Sequence, residues 1–219
     1  MNLDISAITS QPAFASAAVS PEKIWTIQDG ACAVGAVMLI RRDEKIVLVK
    51  KAERPGYEFS GQLAMPGGLI RAAEADDFEA SFRRFLFERV KLECGLEARS
   101  LRAVKVLDFG CSPVSGYTAK GKERRTLVVA VEAVAADAAV QLGSSDGSVE
   151  SASWYDLPPP WQRMAPANCL IVAAALAGRL SAEERAHAKA PIDAAFAQCK
   201  RWATDVGLTA AAHPFEEHD

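Results

Sequence analysis

No Cys-x-x-Cys pair occurs among the five cysteines of this chain, and its three histidines all fall in the last third. Zinc sites and disulfide frameworks need closely spaced or evenly matched thiols. The scattered Cys32, Cys94, Cys111, Cys169 and Cys199 therefore point to small thiols in a reducing compartment. His187, His213 and His218 are spaced for neither a metal nor a catalytic triad. Gly-x-Gly-x-x-Gly and Gly-x-x-x-x-Gly-Lys-Ser/Thr are both missing, which removes the dinucleotide-fingerprint and P-loop readings. Long apolar runs are missing too: Ala31 to Ile40 and Leu170 to Ala177 fall short of the roughly 18 residues that suggest a membrane span. Nor does one sign of charge dominate. Lys and Arg number 25 against 28 Asp and Glu, a formal net charge of -3, so neither nucleic acid nor an anionic membrane is an expected partner. The opening "MNLDISAITSQPAFASAAVS" has no basic n-region, and a cytoplasmic location is expected.

What remains is a chain of 219 residues, half of them hydrophobic and 24% charged, the make-up of an ordinary globular protein with one sizeable core. Residues 1–29 read as an N-terminal arm, 30–160 as the main domain, and 161–219 as helices packed on that domain. "ACAVGAVMLIRRDEKIVLVKKAE" predicts strand, charged turn, strand. Turn signals follow at Pro55-Gly56 and Pro66-Gly67-Gly68. A helix is then predicted, opened by a capping box at Asp76 and Glu79 and closed by Gly95. Phe78, Phe82, Phe85, Leu86, Val90 and Leu92 recur along it at helical spacing. "SLRAVKVLDFG", "TLVVAVEAVA" and "SASWYDLPPPW" predict strands, with "CSPVSGYTAKGKERR" as a polar loop. Two alanine-rich helices close the chain, suited to packing and to a homodimer surface. Strands, a central helix, more strands and terminal helices predict a mixed α/β domain.

The stretch "MPGGLIRAAEADDFEASFRRFLFERVKLECGL", Met65 to Leu96, carries the most specific signal. Two strands, then Pro-Gly-Gly, then a Glu-bearing helix ending in Glu-x-Gly-Leu resemble the Nudix hydrolase superfamily. Its box is G-x5-E-x7-R-E-U-x-E-E-x-G-U, with U a bulky aliphatic. The resemblance implies an α/β/α sandwich around a mixed sheet. It also implies hydrolysis of a pyrophosphate linkage in a nucleoside diphosphate derivative, with Mg²⁺ or Mn²⁺ held by glutamates of the helix and weakly bound without substrate. The metal would neutralise phosphate charge and activate water.

Both ends of the box match. Gly68 and Glu74 have the family spacing, and Val90, Glu93, Gly95 and Leu96 stand where U, the last Glu, Gly and U belong. The centre departs. Thirteen residues, 75 to 87, replace seven; Glu88 stands at the Arg position, Arg89 at the Glu that follows it, and Leu92 at the first of the paired glutamates. At about 100° per residue, Arg89 and Glu93 fall together near the middle of the helix's apolar arc. The expected site therefore has Glu93 as main metal ligand, helped by Glu74. Glu93, Glu88 and Glu150 are candidate catalytic carboxylates, with Glu150 in the loop before Trp154. Gly67, Gly68, Arg89 and Lys122 are candidates for contacting substrate. Three readings follow: a divergent hydrolase; an inactive nucleotide-binding or regulatory module in which Arg89 pairs with Glu93 and blocks the metal; or a structural protein acting through its alanine-rich C-terminal helices.

Overall fold

A computed structural model describes residues 3–57, 59–73, 77–107, 113–119, 122–136, 143 and 146–216, apart from the side chains of 117–119 and 122. The chain opens with a one-turn helix, α1 (Ser6–Thr9), and two short strands, β1 (Ala18–Val19) and β2 (Trp25–Ile27). A hairpin of β3 (Cys32–Arg42) and β4 (Lys45–Lys51) follows, then β5 (Leu63–Ala64), β6 (Gly67–Leu69) and the helix α2 (Phe78–Cys94). Strands β7 (Leu101–Leu107), β8 (Val114–Ala119), β9 (Lys122–Ala135) and β10 (Val149–Asp156) complete a mixed sheet. Helices α3 (Pro166–Leu176) and α4 (Ala182–Asp205) end the described secondary structure. This is the α/β/α arrangement expected from the sequence.

Strand β3 is the spine. Its residues Cys32 to Ile40 are all buried, a continuous apolar run rather than an alternating one, as a strand covered on both faces requires. β9 runs parallel along one side of it, from Ala33 beside Thr126 to Arg41 beside Val134. The other side is shared by β2, β6 and β4, all antiparallel. The charged turn predicted after β3 is a tight one at Asp43-Glu44, with Asp43 at a φ of 51°.

The segment "CSPVSGYTAKGKERR", expected to be a polar loop, instead supplies strand β8 and the start of β9. Cross-strand pairing, from Val114 beside Leu127 to Ala119 beside Lys122, outweighs the turn-rich composition. The cap of α2 also differs by one position. Asp77 is the N-cap, its carboxylate accepting from the Ala80 N–H at 2.8 Å, while Asp76 lies outside the described residues. Glu79 pairs with Arg83 one turn on. Gly95 closes the helix in the left-handed region, at a φ of 75°. Leu92 points outward and is 42% exposed, so it does not belong to the apolar face.

One apolar core links all parts of the chain. Leu3, Ile5 and Ile8 of the N-terminal arm, the strands, Phe82, Phe85 and Leu86 of α2, and Leu170, Ile171 and Trp202 of the last two helices share it. Arg83 of α2 donates to the Leu3 carbonyl at 2.7 Å, fixing the arm over that helix. No described helix is long and apolar enough to cross a membrane.

Candidate functional site

The turn after Pro66 sits where β6 meets β3. Gly67 has a φ of 148°, and a Cβ there would run into the Ala36 carbonyl oxygen. Only glycine fits, and the close approach aims its N–H at α2. That N–H donates to Glu93 Oε2 at 2.8 Å.

Glu93 lies in the last turn of α2 and is fully buried. Its other oxygen, Oε1, accepts from Lys51 Nζ at 3.1 Å and from Arg89 Nη2. Lys51 ends β4, and Arg89 lies one turn before Glu93 on the same face of α2. Arg89 reaches further: Nη1 lies 2.5 Å from Asp146 Oδ2, and Nη2 is 3.4 Å from Ser148 Oγ. Among the described residues, two buried or half-buried carboxylates, Glu93 and Asp146, are thus matched by two cations, Arg89 and Lys51. A buried charge is tolerable only when paired in this way.

The chain on either side of Asp146 is tied down at three points. The Ala52 N–H donates to the Ser148 carbonyl at 3.0 Å, Arg54 Nη2 to the Gly147 carbonyl at 2.8 Å, and the Gly143 N–H to the Cys94 carbonyl at 3.0 Å. Burial by itself would raise the Asp146 carboxyl. The Ser148 N–H at 2.6 Å, the Ser148 hydroxyl and Arg89 outweigh it and hold the carboxyl below the usual carboxylate range.

The remaining sequence candidates fall elsewhere. Glu88 is exposed and lies 3.4 Å from Arg84 on the outer side of α2. Glu150 pairs with Lys50 Nζ at 2.8 Å. Lys50 and Lys51 point to opposite faces of β4, so Glu150 does not join the Glu93 cluster. Gly68 lies against Phe85 and Arg89. Glu74 lies outside the described residues, and the backbone of Lys122 begins β9 while its side chain is not described. Of the neighbouring basic residues, Arg124 pairs with Glu22 at 2.7 Å and Arg125 with Asp205 at 3.0 Å. Tyr57 and Phe59 meet edge to face, as do Trp25 and Phe78. Burial pushes the thiols of Cys32, Cys94 and Cys169 up to about 12, so these cysteines are inert fillers.

Sequence reasoning missed Lys51, Asp146 and Ser148. Strand β4 is buried throughout its centre, from Ile46 to Val49, so no alternation marked Lys51 as facing α2. Asp146-Gly147 is legible as a turn, but nothing local says that the turn folds onto Arg89.

A sequence model of the family described as NUDIX domain matches residues 31–165. The chain belongs to the Nudix family. Comparison with curated proteins returns no match. Among solved structures, the MutT Nudix hydrolase of Burkholderia pseudomallei is 21% identical, with 64% of this chain and 95% of that one covered and a TM-score of 0.42. The Nudix hydrolase RenU of M. smegmatis is 16% identical, over 70% and 94% of the two chains, with a TM-score of 0.46. A bifunctional NMN adenylyltransferase/ADP ribose pyrophosphatase of Francisella tularensis, complexed with AMP and a manganese ion, is 18% identical. There 67% of this chain and 41% of that one are covered, with a TM-score of 0.45.

Against the Nudix box, the residues as placed do not fit a divalent cation. Every oxygen of Glu93 is engaged, and the guanidinium of Arg89 occupies the space between Glu93 and Asp146. Among the described residues, no three His, Cys, Asp or Glu side chains gather as a metal site. A metal would have to compete with two cations for Glu93 Oε1.

Proposed function

We propose that this Nudix domain binds a nucleoside diphosphate derivative without metal and without turning it over, in a reducing cytoplasmic setting. The observation that carries the reading is the saturation of Glu93. Its carboxylate takes Arg89, Lys51 and the Gly67 N–H, with no surface left for Mg²⁺. The ligand class comes from the family, and the four described cysteines, all free and buried, accord with the compartment.

Calorimetric titration of ADP-ribose, a dinucleoside polyphosphate and NAD into the protein, first in EDTA and then in Mg²⁺ or Mn²⁺, tests the proposal. Saturable binding of one of them, indifferent to metal and without product, is expected. Metal-dependent turnover that Glu93→Gln abolishes would instead establish a divergent pyrophosphohydrolase. That second reading is supported by the intact ends of the box: the Gly67-Gly68 turn, Glu93 and Gly95-Leu96 keep the family spacing.

A further inference from the structure

Glu93 and Asp146 come from elements distant in sequence, α2 and the turn before β10, and Arg89 joins them directly. One terminal nitrogen goes to Glu93 Oε1 and the other, at 2.5 Å, to Asp146 Oδ2. Its Nε is buried without a hydrogen-bond partner among the described residues. The guanidinium is therefore held as a charge between two carboxylates, and its full fork of donors is not satisfied.

Charge arithmetic gives this geometry a meaning. The family pattern has a glutamate at position 89. One glutamate plus one divalent cation sums to a single positive charge, and so does one arginine. At position 89 itself, exchanging the pair for Arg89 keeps the same sum of charge, while a covalent tether replaces the equilibrium binding of an ion. The turn that carries Asp146 is fastened to Ala52 and Arg54, just past β4, so both carboxylates are held by contacts other than Arg89.

We infer that Arg89 is a tethered replacement for a divalent cation, and that Arg89→Glu turns the space between Glu93 and Asp146 into a divalent-cation site. The inference rests on the metal-free reading of the native protein but deepens it, because it says what took the metal's place.

Thermal unfolding of the full chain in EDTA, Mg²⁺ and Mn²⁺ tests it without any nucleotide. The native midpoint should not respond to either ion. The Arg89→Glu variant should melt lower in EDTA, since a third carboxylate then crowds Glu93 and Asp146. Mn²⁺ at a hundredfold excess over its Kd should raise that midpoint by about 5 °C or more. Adding Asp146→Asn should remove most of the rise. A variant that has native circular dichroism yet ignores Mn²⁺ overturns the inference, as does a rise that survives Asp146→Asn. Should Arg89→Glu not fold in EDTA, Arg89→Gln serves instead: it keeps Glu93 and Asp146, and a smaller rise is expected, with no rise overturning the inference. Stabilisation of the native protein by Mn²⁺ would overturn the metal-free reading itself, an outcome distinct from an unresponsive variant.

Discussion

Two cations and one backbone N–H converge on Glu93, and each comes from a different element. The sequence placed Arg89 and Glu93 on one face of α2, because a spacing of four residues fixes that relation whatever the tertiary structure. It did not disclose Lys51 or Asp146, which reach the cluster through strand pairing and a turn. It also put Leu92 on the apolar face, whereas the sheet covers a narrower arc and leaves Leu92 exposed. The surroundings of Glu93 give a prediction at this scale. Glu93→Gln leaves Arg89 and Lys51 facing a neutral amide in a buried place, and one amide cannot accept from all three donors while placing its own NH₂. Urea unfolding should register a loss of about 3 kcal/mol, at the lower end for a broken buried pair, because Arg89 keeps Asp146. A carboxylate kept open for a metal would behave oppositely: its neutralisation in metal-free protein would leave stability unchanged or raise it.

Elements carry the next layer. Strand β3 was legible because its apolar run is unbroken, and the β3–β4 hairpin because a charged pair interrupts it. Strand β8 was not legible, since Ser115, Gly116 and Thr118 look like loop residues until β9 is laid beside them. Gly116 has a reason beyond strand pairing. The indole of Trp202, on α4, lies directly over it, and a Cβ would overlap the ring at Nε1, Cε2 and Cδ1. Trp202 is itself buried, so the ring has little room to retreat. The glycine is thus the seat of α4 on the sheet, helped by the Arg125–Asp205 ion pair at 3.0 Å. Gly116→Ala should cost about 1–3 kcal/mol as an overpacked contact. Tryptophan emission should shift to the red as α4 lifts, while the far-ultraviolet dichroism of the folded state is retained. A variant as stable as the parent would mean that α4 is not seated there.

At the scale of the whole molecule, the family match and the folding unit have different limits. The match ends at residue 165, yet the core does not. Leu170, Ile171, Val172 and Leu176 of α3, with Ile192, Cys199 and Trp202 of α4, are buried in the same apolar cluster as β3. Helix α4 is also well started, by a reciprocal capping box of Ser181 and Glu184, so its register on the sheet is set from its first turn. The alanine-rich composition of these helices announced that they form, but not what they cover, since small residues pack equally well on many surfaces. Burying a side chain the size of leucine or isoleucine stabilises by about 1.5–3 kcal/mol. Removing several at once exceeds the 5–15 kcal/mol by which a domain is stable. A chain cut after residue 165 therefore retains the whole match and should still not fold: it should bind a hydrophobic dye and melt without a cooperative transition. The full chain should unfold in a single step, with dichroism and tryptophan fluorescence coincident in urea. Two separated transitions, or a cooperative melt of the cut chain, would show that the helices are an appendage to a self-sufficient Nudix domain.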